Sequence, residues 1–178
     1  MNSQDQVSAS CCRSVQSLGG VLAEDFSVLD KLAVKLICLD PDLEAPLRQI
    51  GERIGGRIAA QLQDGPLPIE VALLALIQAC GLEGVIESRF QKRSPEEDIL
   101  QITGCSTVLG WQVPNLGRSV CTFDAGLFEG FLRAATGRGD VTVDELACLG
   151  RGEACCEFRI YHQPIPIGEW HGVAHGNR

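Results

Sequence analysis

The chain has 178 residues, of which 45% are hydrophobic and 21% charged, and its formal net charge is −8 at pH 7. This length and composition predict one globular domain rather than a disordered chain. The negative charge argues against binding to a nucleic-acid backbone and disfavours an anionic membrane surface.

Residues 1–20 are polar and show no apolar periodicity, so we expect a flexible leader without a signal peptide. The longest apolar run, 67–82, includes Glu70 and Gln78 and is too short to span a bilayer. We therefore expect a cytoplasmic protein with no membrane span. In that compartment, nine cysteines indicate metal or redox chemistry rather than disulfides.

Two helices are predicted in the first third of the domain. Helical spacing of apolar residues within 22–37 favours a first helix, although 32–39 are also compatible with a strand. A second helix has Gly51 and Gly55 beside an apolar stripe, where missing side chains allow another backbone or a ligand to approach. The stripe consists of Leu47, Ile50, Ile54, Ile58 and Leu62.

Two further helices and several strands follow. One helix begins after Pro68 and stops at Gly81, and another has Thr122 as its expected N-cap and ends near Gly137. Strand patterns cover 85–90, 98–103, 105–113, 141–149 and 154–161. This order predicts an α+β fold, with an antiparallel sheet packed against helices, over residues 21–163. Residues 164–178 are expected to form a peripheral tail.

The last hairpin and the helix before it carry the residues of most chemical interest. With a three-residue loop at 151–153, Cys148 and Cys156 would lie opposite each other, with Cβ atoms about 5 Å apart, as two ligands of one tetrahedral ion can. Cys121 precedes a helix N-terminus, where the helix dipole favours a thiolate. Glu145 would point away in a regular strand and needs a bulge or a strand end to join them. Alternatively, these cysteines are ordinary buried apolar residues.

No catalytic residue is predicted. His171 and His175 stand four apart, but their glycine-rich surroundings favour solvated tail residues over a zinc-binding helix. The sequence has no Ser-His-Asp, Walker or Rossmann signature, and its three histidines all follow residue 160. The chain is therefore expected to be a binding protein more than an enzyme.

From about Gly81 to Tyr161, the sequence resembles the 4-vinyl-reductase domain family, which includes the XylR-N sensor domains. The resemblance implies the fold of the small subunits of the vesicle-tethering transport-protein particle, often dimeric and enclosing a hydrophobic pocket. The segment 50–55 resembles the helix that usually lies upstream. The most specific matches are Gly130-Phe131-Leu132, Glu145-x-x-Cys148 and Cys156-Glu157-Phe158.

The resemblance also implies a structural zinc ion. Aromatic-sensing members hold zinc through an early Cys, a Glu, a Cys three residues later and a Cys eight residues further on. This pattern falls on Cys121, Glu145, Cys148 and Cys156. By analogy, the strand that carries Glu145 is bulged.

A ligand pocket is expected between the sheet and the helices. The predicted lining residues face inward on their own periodicities, and their mutual contact is implied by the family fold. They are Ile54, Ile58, Leu100, Ile102, Leu127 and Phe131. Aromatic residues make up only 5% of the chain, which is low for a pocket that stacks aromatic compounds, so the ligand could instead be aliphatic or amphipathic.

Three functions compete. We favour a non-enzymatic binding or sensor module for a hydrophobic small molecule, with a tetrapyrrole or a lipid-like compound among the candidates. The alternatives are a tetrapyrrole-biosynthesis factor, either a reductase-related enzyme or a pigment carrier, and a transport-particle-type interaction subunit. Sensor relatives are fused to an ATPase and a DNA-binding unit that do not fit in this chain, so a separate effector protein is expected.

A homodimer is also expected, through residues 69–82 and the face of Gly51 and Gly55. No role is assigned to the remaining cysteines, which are Cys11, Cys12, Cys38, Cys80, Cys105 and Cys155.

Overall fold

A computed structural model describes residues 28–62, 65–82, 86–103 and 112–162. Within these ranges the chain forms four helices and a four-stranded antiparallel sheet, which confirms the predicted α+β class. The predicted leader, the tail and most of the strand at 105–113 lie outside the described residues. None of the helices described is long and apolar enough to cross a bilayer.

The elements follow one another in the predicted order. The described part of helix α1 covers 28–39, and a 3₁₀ turn at Pro41–Leu43 leads into α2. The other helices are α2 (Glu44–Leu62), α3 (Ile69–Ala79) and α4 (Thr122–Thr136). The strands are β1 (Glu87–Ser94), β2 (Glu97–Thr103), β3 (Thr142–Ala147) and β4 (Cys156–Tyr161).

The sheet has the order β1-β2-β4-β3, so the last strand lies between strands from both halves of the domain. Its inner face alternates with its outer face as a half-buried sheet should. Leu100 pairs with Phe158 and Ile102 with Cys156, and all four side chains are buried in the core. On the other face, the side chains of Gln101 and Glu157 are joined by a hydrogen bond of 2.7 Å.

Helices α2 and α4 pack at backbone contact through two pairs of glycines. A Cβ atom on Gly51 or Gly55 would lie 2.2 Å from a carbonyl oxygen of α4. On α4, a Cβ on Gly126 or Gly130 would lie 2.1 or 1.9 Å from a carbonyl oxygen of α2. Real Cβ atoms do not come this close, so only glycine fits at these four positions.

This packing corrects two expectations about α2. Ile50 is 47% exposed and does not belong to the buried stripe, because the helix turns its glycine face towards α4 instead. The face of Gly51 and Gly55 is covered by α4 of the same chain, so it is not a surface for a second copy. The predicted close approach of a backbone to these glycines is confirmed.

A buried charge network fixes the same helices to the sheet. The Glu129 carboxylate is 7% exposed and accepts hydrogen bonds from the Arg48 side chain at 2.6 Å and the Val143 backbone at 3.0 Å. Arg133 pairs with Glu129 at 2.7 Å and with Glu52 at 2.6 Å. Because each buried charge has a partner, the network joins α2, α4 and β3 without an unpaired carboxylate.

Two local expectations near the last hairpin are wrong. Helix α4 begins at Thr122 with Cys121 as its N-cap residue, and no side chain caps it. The loop between β3 and β4 is not the three residues 151–153, because a 3₁₀ turn at Leu149–Arg151 lengthens the connection. Cys148 therefore lies outside the strand ladder, and Glu157 pairs with Ala147.

Adjacent glycines on α2 provide a test of the helix packing. Gly55→Ala should lower the free energy of unfolding by about 3 kcal/mol or more, since the new Cβ would overlap the α4 backbone. Gly56→Ala is the matched control. Its Cβ would lie 3.7 Å from the Gly130 oxygen, so stability should rise by up to about 1 kcal/mol through helix propensity. Urea denaturation that gives equal midpoints for the two variants would contradict this packing.

Candidate functional site

Four potential metal ligands meet where α4 begins and the last hairpin closes. Cys121 directly precedes α4, Glu145 lies in β3, Cys148 starts the 3₁₀ turn and Cys156 is the first residue of β4. Their ligand atoms all lie within 4.8 Å of one another, and the three cysteines are buried. The structure thus brings together the four residues that the sequence pattern selects.

Glu145 reaches this cluster because β3 is irregular. The ladder with β4 shifts between Glu145 and Ala147, so Glu145 pairs with Phe158 while Ala147 pairs with Glu157. A bulge of this kind changes which side of the sheet the following residues face. The bulge expected by analogy is therefore present.

The turn that carries Cys148 is held by its own hydrogen bonds. The Glu153 carboxylate accepts the Cys148 backbone N–H at 2.5 Å. The Cys148 sulfur accepts the backbone N–H groups of Val120 at 3.3 Å and Gly150 at 3.4 Å. Two N–H donors directed at one sulfur favour its thiolate form.

The sulfur spacing fits a tetrahedral ion. Cys121 Sγ lies 3.8 Å from Cys148 Sγ and 3.6 Å from Cys156 Sγ, and the three cysteines are free thiols. Two sulfurs that each lie about 2.3 Å from a tetrahedral zinc ion are about 3.8 Å apart. The same cysteines are too far apart for a disulfide, whose sulfurs are about 2.05 Å apart.

Glu145 supports the same interpretation. Both of its carboxylate oxygens are buried and accept no hydrogen bond of normal geometry. Burial, followed by the charge of the nearby Cys148, raises the pKa of Glu145 to about 8. Hydrogen bonds with Cys148 and Cys156, together with burial, raise the pKa of Cys121 well above its usual range. The ligands therefore keep their protons unless a cation compensates their charges.

An apolar cavity of about 50 Å³ adjoins the cluster. Cys121 and Cys156 line this cavity as well as belonging to the cluster. Phe128 and Phe158 meet edge to face in its wall, with ring centroids 5.0 Å apart. Other apolar lining residues include Val34, Leu76, Ile77, Ile86, Ile102 and Leu127.

The cavity takes in only part of the predicted lining. Ile102 and Leu127 are on its wall. Leu100 and Phe131 are fully buried in the core but are not among the lining residues. Ile58 and Ile54, on α2, are also outside the lining.

Two acidic residues on the cavity wall escaped the sequence analysis, namely Asp30 of α1 and Asp124 of α4. A signal for Asp30 was present, because it lies four residues before Val34, on the apolar face of the first helix. Cys80 also lines the cavity, whereas Cys38 and Cys155 are partly buried and lie outside both cavity and cluster. Cys11, Cys12 and Cys105 are outside the described residues.

Comparisons with known proteins agree with this architecture. Residues 99–162, which include all four cluster residues, match the family model of the vinyl-4-reductase domain. An uncharacterized protein of Methanocaldococcus jannaschii is 26% identical over 145 residues, which cover 82% of this chain and 79% of that protein.

Two solved structures share the fold. The first is the phenol-responsive sensory domain of the transcription activator PoxR with phenol, at 16% identity and a TM-score of 0.50, covering 77% of this chain and 74% of that one. The second is trafficking protein particle complex subunit 3 from Naegleria fowleri, covalently bound to palmitic acid. It has 12% identity and a TM-score of 0.51, and the match covers 78% of this chain and 95% of that one.

Proposed function

The chain contains a vinyl-4-reductase domain over residues 99–162, and we propose that it is a non-enzymatic binding or sensor module for a small hydrophobic molecule, with a structural zinc ion. The observation that carries this proposal is the wall shared by the apolar cavity and the thiol cluster at Cys121 and Cys156. The PoxR sensory domain, which has the same fold, is described as phenol-responsive, and this supports a sensor role.

Zinc is the ion that suits this donor set. Soft thiolates together with one carboxylate favour zinc over magnesium or calcium, which prefer oxygen ligands. Cys121, Cys148, Cys156 and Glu145 would occupy all four tetrahedral positions, which leaves none for a catalytic water. A zinc ion would therefore fix the start of α4 to the β3–β4 connection and so hold one wall of the cavity.

The cavity favours a small ligand over the tetrapyrrole alternative. About 50 Å³ among the described residues holds an apolar group of a few heavy atoms, far less than a macrocycle. A reductase would also need a hydride source, and the sequence carries no nucleotide-binding fingerprint. The small-molecule module is therefore the better supported function.

The zinc proposal can be tested with two neighbouring cysteines. Reduced, untagged protein should contain one zinc per chain by elemental analysis, and a chelator should lower its melting temperature. Cys156→Ser should lose the zinc, since it removes a direct ligand, and the affinity should fall by more than the roughly 10–100-fold caused by loss of an outer-shell partner. Cys155→Ser is the matched control and should retain zinc, because Cys155 lies outside the cluster. Wild-type protein that binds no stoichiometric zinc would refute the proposal.

The cavity can be tested with xenon, which binds in apolar cavities. Xenon should occupy the cavity of the wild-type protein in a crystal held under xenon pressure. Leu76→Phe should abolish this site, because Leu76 lines the cavity and the larger ring would fill it. Leu73→Phe, on the same helix and equally buried but outside the lining, should keep the site at a similar cost of about 1–3 kcal/mol in stability. Xenon absent from the wild-type cavity would contradict the binding role.

We also propose a cytoplasmic homodimer that acts through a separate effector protein. Val71 and Leu74 of α3 are 42% and 54% exposed, which is consistent with burial of this helix against a second copy. Leu74→Lys should then give a monomer, whereas Ile50→Lys, on the exposed side of α2, should remain dimeric. Sedimentation equilibrium of wild-type protein that shows only the 19.1 kDa monomer would rule the dimer out.

A further inference from the structure

Asp30 and Asp124 place two carboxyl groups in the wall of an otherwise apolar cavity. Apart from cysteines, they are the polar residues among its described lining. Asp30 is 8% exposed, and its carboxyl group is within hydrogen-bond reach of Asp124. The pair joins α1 to the first turn of α4, opposite the side chains of Leu76 and Phe158.

This pair is not compensated by a cation among the described residues. Neither Asp30 nor Asp124 forms a salt bridge there, and the charge of Lys31 favours the ionised form of Asp30 only weakly compared with burial. Burial raises the pKa of Asp30 to about 6, and burial together with the charge of Asp30 raises the pKa of Asp124 well above its usual range.

A structural role accounts for only half of the pair. Asp124 lies in the first turn of α4, where the helix dipole stabilises a negative charge. Asp30 has no such partner, and a leucine of similar volume at either position would avoid the cost of burying a carboxyl group. The two residues therefore suit recognition of something that enters the cavity.

We propose that Asp30 and Asp124 select small apolar molecules that end in a hydrogen-bond donor, either a hydroxyl group or a protonated amine. The hydrocarbon part would lie against Leu76, Leu127 and Phe128, and the donor would face the carboxyl pair. A hydrogen bond to a carboxylate is stronger than a neutral one, and a buried polar site left unpaired rejects ligands that lack the donor. This inference rests on the proposed binding role of the cavity.

Three probes of the same shape and size test the inference. Isobutanol, isobutylamine and isopentane differ only in their terminal hydroxyl, amino or methyl group. Their dissociation constants can be measured by NMR titration of the full chain, with displacement of xenon as evidence that they occupy the cavity. Relative to isopentane, at least one of the two donor probes should bind about 10-fold or more tightly to the wild-type protein, as expected for one hydrogen bond to a charged group.

Substitutions then locate the source of this preference. Asp30→Leu and Asp124→Leu should each remove it while isopentane still binds. Asp144→Leu is the control, because it removes an exposed carboxylate that pairs with Arg159 on the sheet surface, and the preference should be unchanged. Asp124→Asn keeps the polar shape in case a leucine variant does not fold. It should weaken isobutylamine alone if charge is recognised, and should retain isobutanol.

The outcomes separate this inference from the proposed function. Isopentane and xenon that bind without any preference for the donor probes would overturn the inference alone. A preference that survives in both leucine variants would also overturn it. If neither xenon nor any of the three probes binds, both the inference and the binding role of the cavity are wrong.

Discussion

Three buried thiols and a buried carboxyl group can be ionised together only around a cation, and much of the local structure follows from this constraint. Their ligand atoms lie within 4.8 Å of one another, and both Glu145 oxygens are buried without a normal hydrogen bond. A divalent ion would satisfy the charges and the orphaned oxygens at once. The start of α4, the bulge in β3, the turn at Cys148 and the start of β4 all meet at this point.

Helix α4 connects this centre to the rest of the domain. Its N-terminus carries Cys121, one face packs on α2 through Gly126 and Gly130, and another face lines the cavity with Leu127 and Phe128. Backbone contact at the glycines leaves little freedom for α4 to move relative to α2. A cavity occupant would touch both this helix and two of the cluster cysteines, so ligand binding and metal geometry would be felt by the same element.

The sequence was sufficient for the fold class and for the identity of the four cluster residues. The α+β order follows from apolar periodicity, and the ligand set follows from cysteine spacing together with the family resemblance. The geometry of the last hairpin did not follow, because a three-residue loop and a longer 3₁₀ connection use the same glycine-rich residues. A bulge moves one residue across the sheet, and its position has no composition signal.

The packing of α2 shows a different limit. Periodicity assigns the buried face by its apolar side chains and so placed Ile50 inside, but the closest contact of α2 is made by glycines, which contribute no hydrophobic signal. The carboxyl pair of Asp30 and Asp124 joins residues more than ninety positions apart, so only the tertiary structure brings them together. Local patterns thus identify the elements and the candidate ligands, while tertiary contacts decide which faces and side chains meet.

X-ray absorption spectroscopy of the zinc-loaded, full-length protein is the most direct measurement of the metal centre. The account predicts three sulfur ligands at about 2.3 Å and one oxygen ligand at about 2.0–2.2 Å. Glu145→Gln should change the oxygen shell and leave the three sulfur distances in place. A zinc ion surrounded mainly by nitrogen and oxygen ligands would contradict the assignment of Cys121, Cys148 and Cys156, and with it the role of the cluster as a wall of the cavity.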